Sequence, residues 1–401
     1  MVEPAAGVWT SERPAFHFTP REGWLNDLLA ITHDGVRYHL FYQRVPDSLD
    51  WQPNCHWGHA TSVDLIDWNA SLPDALVPDA IDDGCWSGSL AVTDDGPQLF
   101  YSSVKTDDYN ISQVCRATAH DRAWLSWAKQ GPVDLPLEHG TRVFRDPYVF
   151  HDGDWRMLVG GSDVDESAVV YEYSSEDLVD WTFKGRRLSL PRDTDAVPWT
   201  GSACECPSSI TVDGTEVLVF SVWDRDRLFH VVGCLPHDDG TFSVDGLQQL
   251  SFGNSYYAAT TFRDEFGQPC VLFWLRGFGG KQDRPWTGAL SVVQRIQVVD
   301  RQIQLAPHPY LSRLASSAVT TQVESASVHV LPSRCRMFVN PDPASGERAL
   351  KLFSNDTELL KIHSTSAGVV IATTDGQWCV PEEQAQDEWV VLRDGAILEV
   401  F

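Results

Sequence analysis

The chain has 401 residues, of which 43% are hydrophobic, and its 56 acidic against 30 basic side chains leave a formal net charge of −26. A surface this acidic repels nucleic acid and anionic membranes and favours a neutral ligand, unless a local basic pocket reverses the sign. No stretch approaches the roughly 20 apolar residues that cross a bilayer. The first residues lack the basic and apolar regions of a signal peptide, which favours a cytoplasmic protein, or a secreted one whose leader was trimmed.

The nine cysteines are odd in number and scattered, and a chain of this length does not need disulfides. We therefore expect buried free thiols in a reducing compartment. Cys55-His-Trp-Gly-His59 superficially resembles a metal site, but no second cluster of ligands completes it, so no metal site is predicted. Cys204 and Cys206 flank Glu205, and in a regular strand both thiols would point to the face opposite Glu205.

A glycine opens a short apolar strand five times along the chain. These glycines are Gly35, Gly96, Gly153, Gly214 and Gly267, at steps of 61, 57, 61 and 53 residues. Four of them follow Asp, and Asp-Gly before an alternating apolar run is a strong signal for a β-hairpin. Because repetition at a nearly constant period indicates one supersecondary unit used several times, the pattern predicts a five-bladed β-propeller whose site lies where the blades converge.

A second repeat supports this interpretation. Ser62-Val-Asp-Leu-Ile-Asp-Trp68 recurs as Ser175-Glu-Asp-Leu-Val-Asp-Trp181, and a fainter echo ends at Trp127. We expect each copy to lie near an outer strand, with its tryptophan packed against the blade.

The repeat ends near residue 300, and segment 301–317 is expected to be a connector. From residue 318 the alternation of apolar and polar residues continues without the repeat. Further strands are predicted at Val328–Leu331, Ala349–Phe353, Gly368–Ala372, Trp389–Arg393 and Ile397–Phe401. The sequence therefore predicts an all-β protein with a propeller over residues 1–300 and a β-sandwich, short or truncated, over residues 318–401.

A second landmark precedes each glycine of the repeat. These landmarks are Asp27, Trp86, Asp146, Glu205 and Tyr257, at steps of 59, 60, 59 and 52 residues. We expect them at equivalent places on the innermost strands of successive blades. Carboxylates from blades one, three and four would then meet in one funnel, although they are far apart in the sequence.

Three converging carboxylates are costly, because like charges disfavour one another's ionisation. Glycoside hydrolysis needs such a group: one carboxylate attacks the anomeric carbon, a second donates a proton to the leaving oxygen, and a third holds hydroxyls or balances positive charge. Glu205, flanked by Cys204, Cys206 and Pro207, has the most apolar setting and is the candidate acid. The alternative is that the three are unrelated loop acids that cap turns.

Six short motifs resemble the successive signatures of glycoside hydrolase family 32: Trp24-Leu-Asn-Asp27, Phe41-Tyr-Gln43, Trp57-Gly-His-Ala60, Trp86-Ser-Gly-Ser89, Arg145-Asp-Pro147 and Glu205-Cys-Pro207. This is the family of invertases, levanases, inulinases and related fructosyltransferases. The motifs occur in the family's order and spacing, and the resemblance runs from about residue 16 to the C-terminus. It implies a five-bladed propeller followed by a β-sandwich, in agreement with the repeat.

The resemblance also implies roles. Asp27 would be the nucleophile, Glu205 the general acid/base, and Asp146 the stabiliser of the transition state, binding hydroxyls of the fructosyl ring. The implied sugar-binding residues are Asn26, Gln43, Trp51, Trp86, Ser87, Arg145 and Trp274. Amides and a guanidinium suit hydroxyls, and indole rings suit the apolar face of a sugar. No metal or organic cofactor is needed for this chemistry.

Three segments depart from the family pattern. Leu28-Leu29-Ala30 stands where members usually carry Pro-Asn-Gly, which makes the wall beside the nucleophile more apolar. Ser255 stands where Asp usually precedes the Tyr-Tyr-Ala segment, so one polar contact with substrate is lost or altered. Ser208-Ser209 follows Glu205-Cys-Pro where members commonly carry an acid or glycine and then an apolar residue. The substrate is therefore not necessarily plain sucrose.

We expect a retaining glycosidase that removes terminal β-fructofuranosyl units from sucrose-like oligosaccharides or fructans, with nucleophile and acid oxygens about 5–5.5 Å apart. Three alternatives stay open. They are a fructosyltransferase or a hydrolase of an unusual fructan or fructose disaccharide, an inverting arabinanase-like enzyme on the same propeller, and a sugar-binding propeller without catalysis. The expected partner is a fructose-containing oligo- or polysaccharide, with no nucleic acid and no membrane.

Overall fold

The computed structural model describes residues 13–105, 108–225, 229–276, 284–317, 334–339, 349–354, 357–365, 368–373, 376–381, 389–394 and 397–401. Strands make up almost all the regular structure in these ranges, and the helical segments there are the two 3-10 helices Val244–Gly246 and Pro309–Ser317. No helix in the described part of the chain is long and apolar enough to cross a membrane. The expectation of an all-β protein is confirmed.

Five antiparallel blades of four strands follow one another along the chain, and their first strands pack against one another in a ring around the centre. Blade one is Gly23–His33, Tyr38–Val45, His56–Ser62 and Trp68–Asn69; blade two is Gly84–Thr93, Gly96–Lys105, Asp108–Ala119 and Trp127–Pro132. Blade three is Thr141–Asp152, Asp154–Asp163, Ala168–Ser175 and Thr182–Leu190; blade four is Ala203–Val212, Thr215–Trp223, Phe229–Cys234 and Leu247–Gln249. Blade five is Tyr256–Arg263, Pro269–Leu275, Gln294–Val299 and Gln302–Pro307, with the short strand Ala289–Leu290 beside its second strand. This is the predicted five-bladed propeller.

Four of the repeated glycines lie in the turn between the first and second strands of their blades, and Gly96 is the first residue of the second strand of blade two. This agrees with the predicted hairpins. All five have φ between 75° and 116°, the left-handed region that side chains with a Cβ rarely adopt. A different element closes the ring. The short strand Trp286–Thr287 runs parallel to the start of Gly23–His33 and thereby links blade five to blade one.

The two copies of the serine-led repeat form the same turn between the third and fourth strands of blades one and three. Each serine hydroxyl, Ser62 or Ser175, accepts a hydrogen bond from the backbone N–H three residues on, at 3.0 and 2.9 Å. Trp181 is buried in the apolar layer between blades two and three, and Trp68 packs against the apolar core formed by blades one and five. The packing expected for both tryptophans is therefore confirmed.

The segment expected to be a connector, 301–317, begins inside the propeller. Its strand Gln302–Pro307 pairs with Gln294–Val299 and is the outer strand of blade five. The turn between them is Asp300-Arg301, and both residues have positive φ (50° and 60°), as in the tight hairpin turns that usually carry glycine. Without a glycine, this hairpin had no sequence signal, so we propose that the propeller domain extends to Pro307.

The C-terminal strands form two sheets. One contains Arg334–Val339, Trp389–Asp394 and Ile397–Val400, and the other contains Ala349–Ser354, Thr357–Thr365, Gly368–Thr373 and Gly376–Pro381. Side chains from both sheets meet in one apolar core around Ile362 and Val391. Of the predicted strands in this region, Val328–Leu331 lies outside the described residues and the other four are confirmed.

A buried cluster of charges joins the residues before blade one to the C-terminal sheets. The Asp394 carboxylate accepts hydrogen bonds from His17 Nδ1 and from three consecutive backbone N–H groups ending at His17, at 2.8 to 3.2 Å. His17 Nε2 lies 2.6 Å from Glu399 Oε2. The Tyr256 hydroxyl, on the inner strand of blade five, donates to the other oxygen of Glu399. These four side chains form what we call the interface cluster.

Candidate active site

A β-bulge interrupts the inner strand of every blade at an equivalent place. In each bulge two residues face a single residue of the second strand. The bulged pairs are Asn26-Asp27, Trp86-Ser87, Asp146-Pro147, Cys206-Pro207 and Ala258-Ala259. Their first members follow one another at steps of 60, 60, 60 and 52 residues. The bulges therefore define the structural repeat more closely than the landmarks chosen from the sequence.

The three carboxylates come from three different positions of this bulge. Asp27 is the second bulged residue of its blade, Asp146 is the first, and Glu205 immediately precedes its bulge. The sequence alignment of these acids was therefore offset by one residue at Asp27 and at Glu205, because a bulge cannot be located from strand periodicity. Asp146 and Cys206 have φ of 64° and 47°, backbone strain of about 1–3 kcal/mol each that typically occurs at functional sites.

Cys206 joins Asp27 to Asp146. Its thiol lies 3.7 Å from Asp27 Oδ2 and 3.6 Å from Asp146 Oδ2, and its backbone N–H donates to Asp146 Oδ2 at 2.9 Å. Cys204 packs instead among apolar side chains between blades three and four. The expectation that both thiols share one face was wrong, because Cys206 begins a bulge and leaves the alternation of the strand.

Asp27 is held by a short chain of polar groups. The Ser87 hydroxyl lies 2.6 Å from Asp27 Oδ2 and 2.9 Å from Gln43 Oε1, and its single proton can serve one of these acceptors at a time. Gln43 in turn donates to the thiol of Cys55 at 3.0 Å. Burial raises the pKa of Asp27, and the charge of Glu205 raises it further, while the Ser87 hydrogen bond opposes both.

Asp146 lies deeply buried among the carboxylates. It is 5% exposed, and its backbone N–H donates to the Ser102 hydroxyl of blade two at 2.8 Å. Burial raises the pKa of Asp146 to about 7, and the charges of Glu205 and Asp27 add to this against the opposing effect of Arg145. The charges of neighbouring carboxylates therefore disfavour ionisation at Asp146 and at Asp27, as predicted.

Glu205 has a strongly polar setting. Arg145 donates to Glu205 Oε1 from Nη2 at 2.6 Å and from Nε at 3.1 Å, and the Tyr257 hydroxyl donates to Oε2. Arg145 is fixed by a further hydrogen bond to the carbonyl of Tyr109 at 3.2 Å. The expectation that Glu205 has the most apolar surroundings was wrong, because its polar contacts come from Arg145 of blade three and Tyr257 of blade five, which are far from it in the sequence.

The other predicted sugar-binding residues lie on two sides of the carboxylates. Asn26 accepts a hydrogen bond from the Trp24 indole at 3.1 Å, and the Trp24 ring packs edge-on against Trp274 at 5.9 Å. Among the described residues, the buried Trp274 indole N–H has no hydrogen-bond partner, so it remains a donor for a sugar hydroxyl.

The second side is an aromatic surface. Trp86 stacks on Tyr109 at 5.4 Å, with an interplanar angle of 18°, and Trp51 packs edge-on against Trp86 at 5.6 Å. Trp51 is 41% exposed, which makes it the most accessible of the predicted site residues. Such a surface suits the apolar face of a sugar.

Several residues at the site were missed by sequence reasoning. Tyr257 was recognised as a landmark but not as the partner of Glu205. Cys206 was noted as a neighbour of Glu205 but not as a contact of Asp27 and Asp146. Tyr109 has no repeat position that distinguishes it, and Arg276 follows the end of a strand. Phe229 and Arg276 pack together, with the guanidinium carbon 3.6 Å from the ring centroid.

The three segments that depart from the family pattern have different surroundings. Leu28 and Leu29 are 2% and 1% exposed, and Leu28 lines the same small cavity as Asp146 and Cys206. Ser255 is exposed, and its carbonyl accepts a hydrogen bond from the backbone N–H of Arg276 at 2.7 Å. Ser209 donates to Glu216 at 2.8 Å.

One buried group outside the site has potential metal ligands. Ligand atoms of Asp264, Cys270 and His308 lie within 4.8 Å of one another. However, Asp264 Oδ1 already accepts two backbone N–H groups, and Oδ2 lies 3.1 Å from His308 Nε2 and 3.5 Å from the Arg295 guanidinium. A guanidinium beside the carboxylate opposes a metal cation, so the group is better described as a buried ion pair.

Comparison with known proteins identifies the family. A family model for the N-terminal domain of glycosyl hydrolases family 32 matches residues 17–309. A raffinose invertase from Escherichia coli is 33% identical over 319 residues, which cover 74% of this chain and 64% of that protein. A sucrose-6-phosphate hydrolase from Zymomonas mobilis is 31% identical over 325 residues, which cover 73% of this chain and 61% of that protein. The matching part of the chain spans about three fifths of the length of these curated relatives.

Solved structures share the fold over nearly the whole chain. A family 32 β-fructofuranosidase from Bombyx mori superimposes with a TM-score of 0.77 at 23% identity, covering 97% of this chain and 86% of that one. A fructan 1-exohydrolase from Cichorium intybus gives a TM-score of 0.78 at 19% identity, covering 98% of this chain and 90% of that one. With a match to the family over residues 17–309, this chain belongs to glycosyl hydrolase family 32.

Proposed function

We propose that this protein is a retaining glycosidase that cleaves terminal β-D-fructofuranosyl units from sucrose-like oligosaccharides or fructans. The observation that carries the proposal is the meeting of Asp27, Asp146 and Glu205 from three blades, with Cys206 between the two aspartates. Family membership supports the same function. The curated relatives are named as invertases, sucrose-6-phosphate hydrolases and fructan exohydrolases.

In the first step, Asp27 attacks the anomeric C2 of the fructosyl unit while Glu205 gives its proton to the leaving oxygen. The C2–O bond to the leaving sugar breaks, and an ester between fructose and Asp27 forms. The Ser87 hydrogen bond stabilises the ionised Asp27 that this step requires. Arg145 and Tyr257 hold Glu205 by one oxygen each, which orients the carboxyl group.

In the second step, Glu205 takes a proton from water and the water oxygen attacks C2. The ester bond between C2 and Asp27 breaks, which regenerates the Asp27 carboxylate and releases fructose with retained configuration. Asp146 binds ring hydroxyls and opposes the positive charge that develops on C2 in both transition states. No step requires a metal or an organic cofactor.

The test is a hydrolysis screen with sucrose, raffinose, inulin and levan, with products resolved by chromatography and the first anomer assigned by NMR. Asp27→Ala and Glu205→Ala should each lower kcat by several orders of magnitude without loss of folding. Asp239→Ala, which changes an exposed loop acid of blade four, is the matched control and should keep its activity.

Each other outcome contradicts the proposal in a different way. Near-wild-type rates in either site variant would remove the assigned roles. An inverted first product indicates an arabinanase-like mechanism, and fructosyl oligomers formed at high sucrose indicate transfer. Binding without turnover on the whole panel indicates a sugar-binding propeller.

A further inference from the structure

The backbone of Asp146 is hydrogen-bonded to the neighbouring blade. Its N–H donates to the Ser102 hydroxyl at 2.8 Å, and Ser102, on the second strand of blade two, is fully buried. Asp146 and Pro147 are the two bulged residues of blade three, and a bulge leaves a residue without a partner on the paired strand. Because proline has no N–H, the N–H of Asp146 is the only backbone donor of this bulge, and Ser102 is its acceptor.

Asp146 has a backbone conformation that residues with a Cβ rarely adopt. Its φ of 64° lies in the left-handed region, and a residue keeps such a conformation only where the surrounding structure fixes it. Without the Ser102 hydroxyl, the buried N–H of Asp146 would have no acceptor. Rotation of the backbone towards negative φ would then relieve the strain, and it would move the carboxylate.

The same arrangement occurs in the next two blades. In each of them the first bulged residue has a positive φ and donates its N–H to a side-chain oxygen of the preceding blade. Cys206, with φ of 47°, donates to Asp146 Oδ2 at 2.9 Å. Ala258, with φ of 45°, donates to the Ser221 hydroxyl at 2.9 Å. A side-chain acceptor therefore accompanies this bulge in blades three, four and five, and in blade four the acceptor is a carboxylate of the active site.

Asp146 is consequently fixed from both neighbouring blades. Ser102 of blade two holds its backbone, and the N–H of Cys206 of blade four holds its carboxylate. The bond to Cys206 forms because the backbone of Asp146 directs the carboxylate towards blade four. A change in that backbone would therefore break the bond, so the Ser102 hydroxyl acts on the carboxylate through the main chain.

Two further buried serines of blade two bond to the strand that carries Asp146. On one side of the bulge, the Ser112 hydroxyl donates to the carbonyl of Phe144 at 2.9 Å. On the other side, the Ser89 hydroxyl accepts from the N–H of Val149 at 2.8 Å. The flanking backbone is thus held to blade two independently, and loss of the contact at Asp146 should disturb the bulge without detaching the strand.

We propose that Ser102 is a positioning residue for catalysis, whose hydroxyl fixes the Asp146 backbone and thereby aligns the Asp146 carboxylate with the hydroxyls of the fructosyl ring. This inference rests on the proposed function. Because Asp146 is assigned to stabilising the transition state, its misalignment should lower kcat more than it raises KM.

The test compares two variants of the full chain that remove the same kind of contact. Ser102→Ala removes the acceptor of the Asp146 N–H. Ser251→Ala is the matched control, because Ser251 is 1% exposed and accepts the N–H of Val231, on the third strand of blade four, at 2.8 Å. Each variant leaves one buried N–H without its hydroxyl, so the two melting temperatures should fall by similar amounts.

The two variants should differ in turnover of the best substrate of the hydrolysis screen. We expect kcat to fall by about 10- to 100-fold in Ser102→Ala and to stay within about twofold of wild type in Ser251→Ala, since a small misplacement of a catalytic group is costly. Ser102→Thr restores the hydroxyl with one added methyl group and should recover most of the lost kcat. A folded Ser102→Ala variant that turns over as fast as Ser251→Ala would overturn the inference.

A double-mutant cycle shows whether the effect passes through the Asp146 carboxylate, and it decides by itself if Ser102→Thr does not fold. Asp146→Asn removes the charge, but its amide oxygen can still accept from the N–H of Cys206. In that background, Ser102→Ala should change kcat by less than about twofold, because the group that it positions is already absent. An equal fold-change in both backgrounds would show that Ser102 supports the fold and not Asp146.

Failure of the proposed function has a different signature, since the wild-type protein would then hydrolyse no fructoside at all. In that case crystal structures of the wild type, Ser102→Ala and Ser251→Ala decide on Ser102 without turnover. Movement of Asp146 Oδ2 out of hydrogen-bond distance from the Cys206 N–H in Ser102→Ala, but not in Ser251→Ala, supports the inference. A contact that stays at its wild-type length in Ser102→Ala, or that is lost in both variants, contradicts it.

Discussion

Two neighbouring tyrosines on the inner strand of blade five each donate a hydrogen bond to a different buried cluster of charges. Tyr256 donates to Glu399 in the interface cluster, and Tyr257 donates to Glu205 in the candidate active site. The strand alternation sends the two hydroxyls to opposite faces, so the same residue type serves both clusters. Comparing them separates charges that stabilise the fold from charges that work against it.

The interface cluster is electrostatically balanced. Burial alone would lower the pKa of His17, but Asp394 and Glu399 raise it to about 9. The pKa of Asp394 is lowered, because its hydrogen bonds from His17 and from backbone N–H groups outweigh burial. A cation between two acids, with donors for the remaining oxygens, favours the ionised state of both partners.

In the active-site cluster, by contrast, the three acids are not fully balanced by cations. Burial and mutual repulsion raise the pKa of Asp146 to about 7 and also raise that of Asp27. Ionising these acids at neutral pH therefore costs stability, which is the usual relation between a catalytic site and the fold that holds it. The comparison teaches that a buried carboxylate is stabilising or destabilising according to the number of donors it faces.

The largest expected effect is a loss of activity, which should follow from a change in the active-site cluster but not in the interface cluster. Glu205→Gln keeps the size of the side chain but removes the acid, and we expect kcat to fall by about 10²- to 10⁴-fold. The melting temperature should change little, because the amide oxygen can still accept from Arg145 while the amide NH2 group donates to the Tyr257 hydroxyl oxygen. Glu399→Gln makes the same change beside Tyr256 and is the matched control. If both variants lost activity equally while folded, the clusters would not be functionally distinct.

The second-largest expected effect is a loss of stability when the interface cluster is disrupted. Asp394→Ala leaves protonated His17 and several buried N–H groups without their acceptor, so the free energy of unfolding should fall by about 3–5 kcal/mol. Glu358→Gln breaks an exposed pair with Lys351 in the same domain and should cost less than about 1 kcal/mol. Urea denaturation measures both, and equal effects would show that burial of the interface cluster contributes nothing.

The pH dependence of the free energy of unfolding tests the interface cluster without changing its acids. The pKa of His17 is raised from 6.5 to about 9, so its stabilisation is fully present below pH 6.5 and is lost as the pH rises through about 9. The raised pKa of Asp146 also makes the free energy of unfolding fall as the pH rises, but over a lower pH range, which ends near its pKa of about 7. The free energy of unfolding should therefore fall by about 3 kcal/mol, mainly between pH 7 and 9. His17→Gln should flatten this slope, and an unchanged slope would exclude His17 as its source.

Much of the fold could be predicted because one turn recurs. Asp-Gly sequences at Gly35, Gly96, Gly153 and Gly214 each impose a left-handed residue that the hairpin requires. The turn at Asp300-Arg301 places two residues in the left-handed region without glycine, so the outer strand of blade five was assigned to a connector. A local conformation is predictable only where the residue type that favours it is present.

The site was predictable in its membership but not in its register. Periodicity and motifs identified Asp27, Asp146 and Glu205, yet the bulges displace them by one residue from one another, and a bulge follows from cross-strand pairing. The same holds for the contact of Arg145 with Glu205, which joins two blades. The contact of Arg276 with Phe229 had no signal either, because Arg276 belongs to no repeated motif.

The smallest expected effects concern the two tyrosines themselves, and they make the sharpest comparison because the residues are adjacent and the change is identical. Tyr256→Phe removes a donor from buried Glu399, so the free energy of unfolding should fall by about 1–2 kcal/mol while kcat stays within about twofold. Tyr257→Phe frees one oxygen of Glu205, so kcat/KM should fall by about 10-fold with a changed pH profile and almost no change in stability. The opposite pattern, with Tyr257 stabilising the fold and Tyr256 supporting turnover, would reverse the assignment of the two clusters. Steady-state kinetics and urea denaturation on the same two preparations distinguish these outcomes, since each variant is the control for the other.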